Sequence, residues 1–158
     1  MSQATAKEYA LRLLAVRPRS VAELRQRLAM RHFTDAAIGE AVADLLRAGL
    51  LDDAMFARLW IESRISSKPM GASRLRAELR HKGIDREIID QALAAGQEDL
   101  DESGAALALA KRRYQAGSSL GREARERRVT GFLARRGYSS EVIAQTLKKL
   151  RKGFTEED

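Results

Sequence analysis

Arginines recur at helical intervals in two stretches of this 158-residue chain. Arg76 and Arg80 are four residues apart, and Arg125, Arg128 and Arg135 are separated by three and seven residues. Residues at such intervals lie on one face of an α-helix, so each set can present its guanidinium groups together. Guanidinium groups form paired, charge-assisted hydrogen bonds with phosphates and carboxylates. The first chemistry that this sequence suggests is therefore recognition of an anionic partner.

The charge of the chain supports this interpretation. The net charge is +7, with 29 Lys and Arg against 22 Asp and Glu, and residues 111–152 hold 13 basic side chains against three acidic ones. Such an excess attracts nucleic acid or acidic protein surfaces, although a solvated helical face is an equally ordinary explanation. The candidate partner-binding or DNA-binding residues are Arg74, Arg76, Arg80, Lys82, Arg112, Arg113, Arg125, Arg128, Arg135 and Arg136. Phosphate contacts from these side chains would position DNA without reading its sequence.

Catalytic and metal-binding chemistry finds little support in the sequence. The chain has no cysteine, and its two histidines, His32 and His81, fall at predicted helix ends. No phosphate-binding glycine loop, zinc-protease motif or nucleophile elbow is present. One acidic cluster could be imagined as a metal site, but its position at the start of a helix favours dipole complementarity and solvation; it consists of Glu98, Asp99, Asp101 and Glu102. We therefore expect no catalytic residue, no metal site and no cofactor.

The elements that must position the arginines repeat three times. Each copy has five apolar residues separated by four, five, five and four positions. In chain order they are Leu24, Leu28, Phe33, Ile38 and Val42, then Leu75, Leu79, Ile84, Ile89 and Leu93, then Val129, Leu133, Tyr138, Ile143 and Leu147. A four-residue step keeps side chains on one helix face, and the two five-residue steps span a turn between helices. The pattern predicts a helix–turn–helix unit built three times.

The turns of these units carry their own signals. Gly83 and Gly137 stand where a helix end favours a left-handed residue. His32 replaces glycine in the first copy, which should cost a few tenths to roughly 1 kcal/mol if the backbone there is left-handed. Polar N-cap residues follow each turn, namely Thr34, Asp85 and Ser139. Ser20 with Glu23 is typical of a capping box.

A further helix precedes each pair, at about 5–16, 53–66 and 102–115. The predicted fold is therefore all-α, with about nine helices in three tandem three-helix repeats that form an elongated, curved array. The predicted divisions are residues 1–51, 52–97 and 98–152 for the repeats and 153–158 for an acidic tail. The absence of a signal peptide or membrane-length apolar run favours a soluble, cytoplasmic protein, and a monomer is expected.

Three runs of the sequence resemble one protein family. EYALRLLAVRPRSVAELRQRL (8–28), GLLDDAMFARLWIESR (49–64) and KPMGASRLRAELRHKGID (68–85) are similar to the RecX family, bacterial regulators of the RecA recombinase. The resemblance covers about residues 6–150. It implies a non-enzymatic protein that binds in the groove of the RecA filament on single-stranded DNA. The same resemblance implies that the protein inhibits the ATP hydrolysis, strand exchange and co-protease activity of the filament, and so affects DNA repair and the SOS response.

Within the second of these runs, the family signature has structural explanations. We expect Leu51, Phe56 and Trp60 to lie in the core, and Asp52 and Asp53 to cap a helix. Signature status therefore does not make these residues partner contacts.

Two hypotheses about function stay open at the level of sequence. In the first, the protein regulates RecA filaments while its basic surface lies near the DNA backbone of single-stranded or double-stranded DNA. In the second, it is a general basic DNA-binding protein that acts by competing for DNA. The sequence does not indicate which repeat contacts RecA, or whether inhibition caps filaments or disassembles them.

Overall fold

The computed structural model describes residues 5–96 and 101–155, and over these ranges the chain forms nine α-helices and no strand. The predicted all-α class is confirmed. The three helices expected at 5–16, 53–66 and 102–115 begin and end within one residue of those limits. In chain order the helices are α1 Ala6–Val16, α2 Val21–Met30, α3 Asp35–Arg47, α4 Asp53–Ser67, α5 Ala72–His81, α6 Arg86–Gly96, α7 Glu102–Gln115, α8 Arg122–Arg135 and α9 Ser140–Thr155.

Helix starts follow the capping chemistry that the sequence predicts. Ser20 and Glu23 form a reciprocal capping box at α2, with the Glu23 N–H donating to Ser20 Oγ over 3.0 Å. The Thr34 hydroxyl accepts from the third helical N–H of α3. Asp52 caps α4 by accepting from the Met55 N–H at 3.0 Å. Each cap satisfies a backbone donor that the helix itself leaves unpaired, typically worth about 1 kcal/mol.

The repeated apolar positions form the interior, as predicted. Thirteen of the fifteen are buried, and the exceptions, Phe33 and Leu147, are partly buried and pack against the clusters of their own units. The first two positions of each copy are completely buried: Leu24 and Leu28, Leu75 and Leu79, Val129 and Leu133. Burying a side chain of this size contributes about 1.5–3 kcal/mol, so these rows hold the helix pairs together.

Expectations for the preceding helices were partly wrong. In α1 the small side chains of Ala6 and Ala10 are buried, while Val16 is 78% exposed. Trp60 is only partly buried, unlike Leu51 and Phe56, which lie in the core as expected. The Trp60 indole N–H donates to a carboxylate oxygen of Glu78 at 3.0 Å, which explains why its polar edge is not enclosed by apolar side chains.

The chain divides into two compact units. Unit 1 comprises the described part of Met1–Trp60 together with Glu78–Ala92, and its core includes Leu24, Leu28 and Leu45. Unit 2 comprises Ile61–Ala77 together with the described part of Leu93–Asp158. Its core includes Val129, Leu133 and Tyr138. The boundaries predicted for the three repeats stay predictions.

The turns within the three repeated units are left-handed, as the sequence predicts for the two glycines, and the turn at His32, which the sequence left open, is left-handed too. The φ angles are +74° at Gly83, +82° at Gly137 and +63° at His32. Glycine adopts this region without penalty, whereas a residue with a Cβ atom is strained there. His32 is exposed.

In unit 1 the turn at Lys82 and Gly83 packs on the start of α2. Ser20 Oγ donates to the Lys82 carbonyl at 2.6 Å, and Lys82 Nζ lies 2.8 Å from Glu23 Oε1. A Cβ atom on Gly83 would fall 2.3 Å from the Ala22 Cβ atom. The turn must therefore be glycine for its contact as well as for its φ angle. We call this contact, in which the turn of one repeat packs on the start of the second helix of the preceding repeat, a repeat joint.

Unit 2 contains a second repeat joint at the corresponding positions. The Gly71 N–H donates to the Arg136 carbonyl at 2.8 Å, and a Cβ atom on Gly137 would fall 2.5 Å from the Arg74 backbone nitrogen. The Ala72 N–H donates to Glu102 Oε1 at 2.7 Å.

Each joint also includes a carboxylate from the first residue of another helix, Asp53 of α4 in unit 1 and Glu102 of α7 in unit 2. The unit 1 counterpart of the contact between Ala72 and Glu102 is the Val21 N–H, which donates to Asp53 Oδ1 at 2.8 Å. Asp53 was expected to cap its own helix, and its observed acceptor role in the joint corrects that expectation. Burial raises the Asp53 pKa above its usual value, although the Val21 hydrogen bond opposes the shift.

Candidate arginine cleft on helix α8

One face of α8 forms an open cleft lined by arginines. The cleft has a volume of about 410 Å³, and α7 contributes one residue to its wall. Its lining residues are Arg113 from α7 and Ala124, Arg127, Arg128, Gly131 and Arg135 from α8. The α8 residues follow one another at intervals of three, one, three and four, which keeps them on one helix face. Four guanidinium groups therefore converge on one surface.

The middle of the cleft is open because Gly131 has no side chain. A Cβ atom there would lie 3.2 Å from a terminal nitrogen of Arg135, so this guanidinium group lies close to the glycine backbone. Arg127, Arg128 and Arg135 are all exposed. They can reach a partner without any rearrangement of the helix.

Arg113 enters the cleft from α7 in a fixed position. Its guanidinium carbon lies 5.3 Å from the centre of the Phe132 ring, and the Arg136 guanidinium lies 5.1 Å from the same ring. The Arg113 Nε atom is buried without a hydrogen-bond partner in the described part of the chain. Contact with an aromatic face orders a guanidinium group while leaving its charge unneutralised.

Acidic residues near the cleft do not cancel its charge. Glu123 lies 3.6 Å from Arg127, but both side chains are largely exposed, and such ion pairs are weak. Glu126 is engaged with Arg151 at 2.6 Å and with Arg122 at 3.2 Å. The hydrogen bond from Arg151, together with that from Arg122, lowers the Glu126 pKa and keeps it ionised as a partner of those residues. The cleft thus keeps an excess of positive charge.

Three of the predicted binding residues come together in the cleft: Arg113, Arg128 and Arg135. Arg125 was predicted with them by its spacing, but it does not line the cleft. It donates from Nε to the Leu120 carbonyl at 2.8 Å and lies 5.0 Å from the Tyr114 ring, so it holds the loop before α8.

Three other predicted residues take part in the repeat joints. Lys82 pairs with Glu23 and lies 4.9 Å from the Trp60 ring. Arg136 donates to the Pro69 carbonyl at 3.0 Å, and Arg74 lies against Gly137. Their structural contacts are evident, and their role in partner binding stays a prediction. The remaining predicted residues lie outside the cleft: Arg76 is partly buried, and Arg80 and Arg112 are exposed.

Arg127 is the cleft residue that sequence reasoning missed. It precedes Gly131 by four residues and Arg135 by eight, so it shares their helix face. This interval was available in the sequence. It was obscured because Arg125 fits an equally regular spacing, and only the structure shows Arg125 turned towards the preceding loop.

The acidic cluster considered for metal binding has structural roles where it is described. Asp101 caps α7 by accepting from the Gly104 N–H at 2.8 Å, and Glu102 accepts in the repeat joint. Glu98 and Asp99 lie outside the described residues. Within residues 5–96 and 101–155, no group of three potential metal ligands is found, and no helix there is long and apolar enough to cross a bilayer.

The cleft is therefore suited to binding an anionic partner. Its guanidinium groups can each donate several hydrogen bonds to phosphate or carboxylate oxygens, or to the carbonyl end of a helix.

Comparison with known proteins shows which family this chain resembles. Family models described as RecX first, second and third three-helix domains match residues 6–45, 52–93 and 101–147 respectively. The regulatory protein RecX of Amycolatopsis mediterranei is 39% identical over 145 residues, which cover 91% of this chain and 82% of the relative. That of Thermobifida fusca is 39% identical over 147 residues, covering 92% and 78%.

Solved structures share the same fold. RecX from Lactobacillus salivarius superimposes with a TM-score of 0.85 at 20% identity, covering 92% of this chain and 94% of that one. Another regulatory protein RecX gives a TM-score of 0.82 at 23% identity, covering 90% and 70%. The fold and its relatives define a class of all-helical regulatory proteins built from three-helix domains. The chain belongs to the RecX family.

Proposed function

We propose that this chain binds RecA nucleoprotein filaments on single-stranded DNA and inhibits their ATP hydrolysis, strand exchange and co-protease activity. It would thereby modulate DNA repair and the SOS response. The observation that supports this proposal most is the cleft of four arginines on α8, in a chain whose relatives are named regulatory proteins. The chain acts by binding, as a monomer and without a cofactor.

A nucleoprotein filament offers the chemistry that such a cleft requires. It presents DNA phosphates and protein carboxylates along a periodic surface, and the arginines can pair with either. Arg127, Arg128 and Arg135 are exposed, so a partner can displace water from them without unfolding any helix. A bound chain would restrain the movement of neighbouring protomers and so reduce turnover.

A second candidate is a general DNA-binding protein that competes with RecA for DNA. The 13 basic side chains between residues 111 and 152 favour it, since phosphate attraction alone would suffice. Salt separates the two functions. Competition for bare DNA should weaken steeply as salt rises, because released counterions dominate that affinity, whereas filament recognition keeps a protein–protein contribution.

The test follows ATP hydrolysis by the cognate RecA on excess single-stranded DNA, with this chain added far below the recombinase concentration. We expect inhibition at that ratio. The double variant Arg128→Glu with Arg135→Glu should lose it, while Lys148→Glu with Lys149→Glu should keep it. Those lysines are exposed on α9, and their reversal changes the net charge equally. Inhibition that appears only when the chain coats the DNA would support the second candidate.

A further inference from the structure

The arginine cleft occupies a particular position in the repeat. Arg127 stands ten residues before the turn residue of its own repeat, which is Gly137. Ser73 has the same position relative to Gly83, and Ala22 relative to His32. Arg128 therefore corresponds to Arg74 and Glu23. The completely buried residue that follows fixes this alignment in each case: Leu24, Leu75 and Val129. The three helices can thus be compared residue by residue.

In α2 and α5 these positions carry the repeat joints. Ala22 and Glu23 receive the turn at Lys82 and Gly83. Arg74 receives the turn at Gly137. In both joints the docked element is the C-terminal end of a helix, and its carbonyl oxygen accepts a hydrogen bond from the receiving segment. The same positions of α8 are exposed, and they carry Arg127 and Arg128.

We infer that this face of α8 docks an acidic helix–turn of a protein partner, in the manner of the two joints. The inference rests on the proposed function, in which the partner is a protomer of the recombinase filament. The partner element would present the carbonyl end of a helix together with carboxylate side chains. Both carry negative charge, and both are acceptors for guanidinium donors.

The length of α8 explains why arginines replace the donors of the joints. Val21 and Ala72 are the first residues of α2 and α5, so their N–H groups have no partner within the helix and donate to Asp53 and Glu102. The corresponding residue of α8 is Glu126, the fifth in its helix, whose N–H is directed to the carbonyl four residues earlier. The backbone N–H group at this position of α8 is therefore already paired within the helix and is not available to a docked element. Side-chain donors from Arg127 and Arg128 supply the hydrogen bonds instead.

This correspondence favours a protein turn over a DNA backbone. Phosphates require positive charge but no particular position in the repeat, whereas the arginines lie at the two positions that receive a helix end elsewhere in the chain. Gly131 beside them has no side chain, and the group nearest to it is the exposed, flexible Arg135, which a docking main chain can displace. The partner surface that fits is a compact acidic turn.

The test compares binding to two targets, the RecA filament on single-stranded DNA and the same DNA without recombinase. We expect Arg127→Glu with Arg128→Glu to weaken filament binding about tenfold or more, as charged contacts at interfaces often do. On bare DNA, the arginine double variant should lose no more affinity than the control variant Lys148→Glu with Lys149→Glu loses. All four residues are exposed, so circular dichroism and the unfolding midpoint should not change.

Two results would overturn the inference while leaving the proposed function in place. One is an equal loss on filament and bare DNA, which would assign the cleft to phosphates. The other is that the arginine double variant binds the filament as tightly as the control variant does, which would place the contact elsewhere. Failure of the unaltered chain to bind the filament at all would instead refute the proposed function, and the inference would fall with it.

Discussion

The turn at Gly137 and the turn at His32 have the same backbone but different surroundings. Both residues are left-handed, with φ angles of +82° and +63°. A Cβ atom on Gly137 would overlap the backbone of Arg74, whereas His32 is exposed and carries a full side chain. The difference shows that a positive φ angle alone does not require glycine here. Glycine is required where another part of the chain packs directly on the turn.

The comparison predicts that Gly137→Ala has the largest effect. Left-handed strain costs about 1–2 kcal/mol and overlap in a packed site about 1–3 kcal/mol, so the unfolding free energy should fall by about 2–5 kcal/mol. Urea denaturation measures it. A loss below 1 kcal/mol would mean that the joint yields easily and that the turn resembles the one at His32 after all.

Gly71→Ser tests whether the two joints are interchangeable, because Ser20 occupies the corresponding position in unit 1. A Cβ atom on Gly71 would come within 2.1 Å of the Gly137 carbonyl oxygen, so the serine cannot be accommodated without a backbone shift. We expect a loss of about 1–3 kcal/mol in urea denaturation. Unchanged stability would show that the joints can exchange their donors, the Ser20 hydroxyl and the Gly71 N–H.

Asp53→Ala should cost about 1 kcal/mol or slightly more, because it leaves the Val21 N–H without its acceptor. Asp53→Asn keeps an acceptor oxygen and removes the charge, so it should be as stable as the unaltered chain at neutral pH, or more stable. Thermal unfolding of both variants provides the comparison.

The pH dependence of the same pair has a definite sign. Burial raises the Asp53 pKa in the folded state, so the folded chain binds this proton more tightly than the unfolded chain does. The ionised group therefore costs stability at neutral pH, and this cost disappears as the pH falls through the raised pKa. Any advantage of Asp53→Asn should shrink in acid. An advantage that grows as the pH falls would show that the pKa is lowered instead.

His32→Gly should have the smallest effect. It removes left-handed strain but makes the unfolded chain more flexible, so we expect a gain of a few tenths to about 1 kcal/mol in the unfolding free energy. His32→Ala serves as the control, since it keeps the Cβ atom and should change little. A clear loss of stability on His32→Gly would indicate that the imidazole makes a contact that matters.

The fold was largely predictable because its signals are local. The spacing of Leu75, Leu79 and Ile84, with Gly83 at the turn, specifies helices and their buried faces without reference to the rest of the chain. The joints were not predictable, because Ser20 and Lys82 are 62 residues apart and meet only in the folded structure.

The candidate site was predictable in part for the same reason. Helical spacing correctly brought Arg128 and Arg135 together, and Arg113 joins them from α7 in the structure. Spacing alone cannot tell which of two neighbouring arginines faces a cleft. Arg125 is taken up by loop carbonyls that no interval along the helix reveals.

The most direct test of the central claim places a photo-crosslinking benzophenone amino acid at position 124, where Ala124 lines the cleft and all four arginines are kept. The chain is then bound to RecA filaments on labelled single-stranded DNA and irradiated, with position 148 on α9 as the control site. We predict a crosslink from position 124 to the recombinase polypeptide, mapping by mass spectrometry to an acidic turn at the end of a helix. Crosslinking of position 124 to DNA alone, or no more crosslinking than from position 148, would contradict the account.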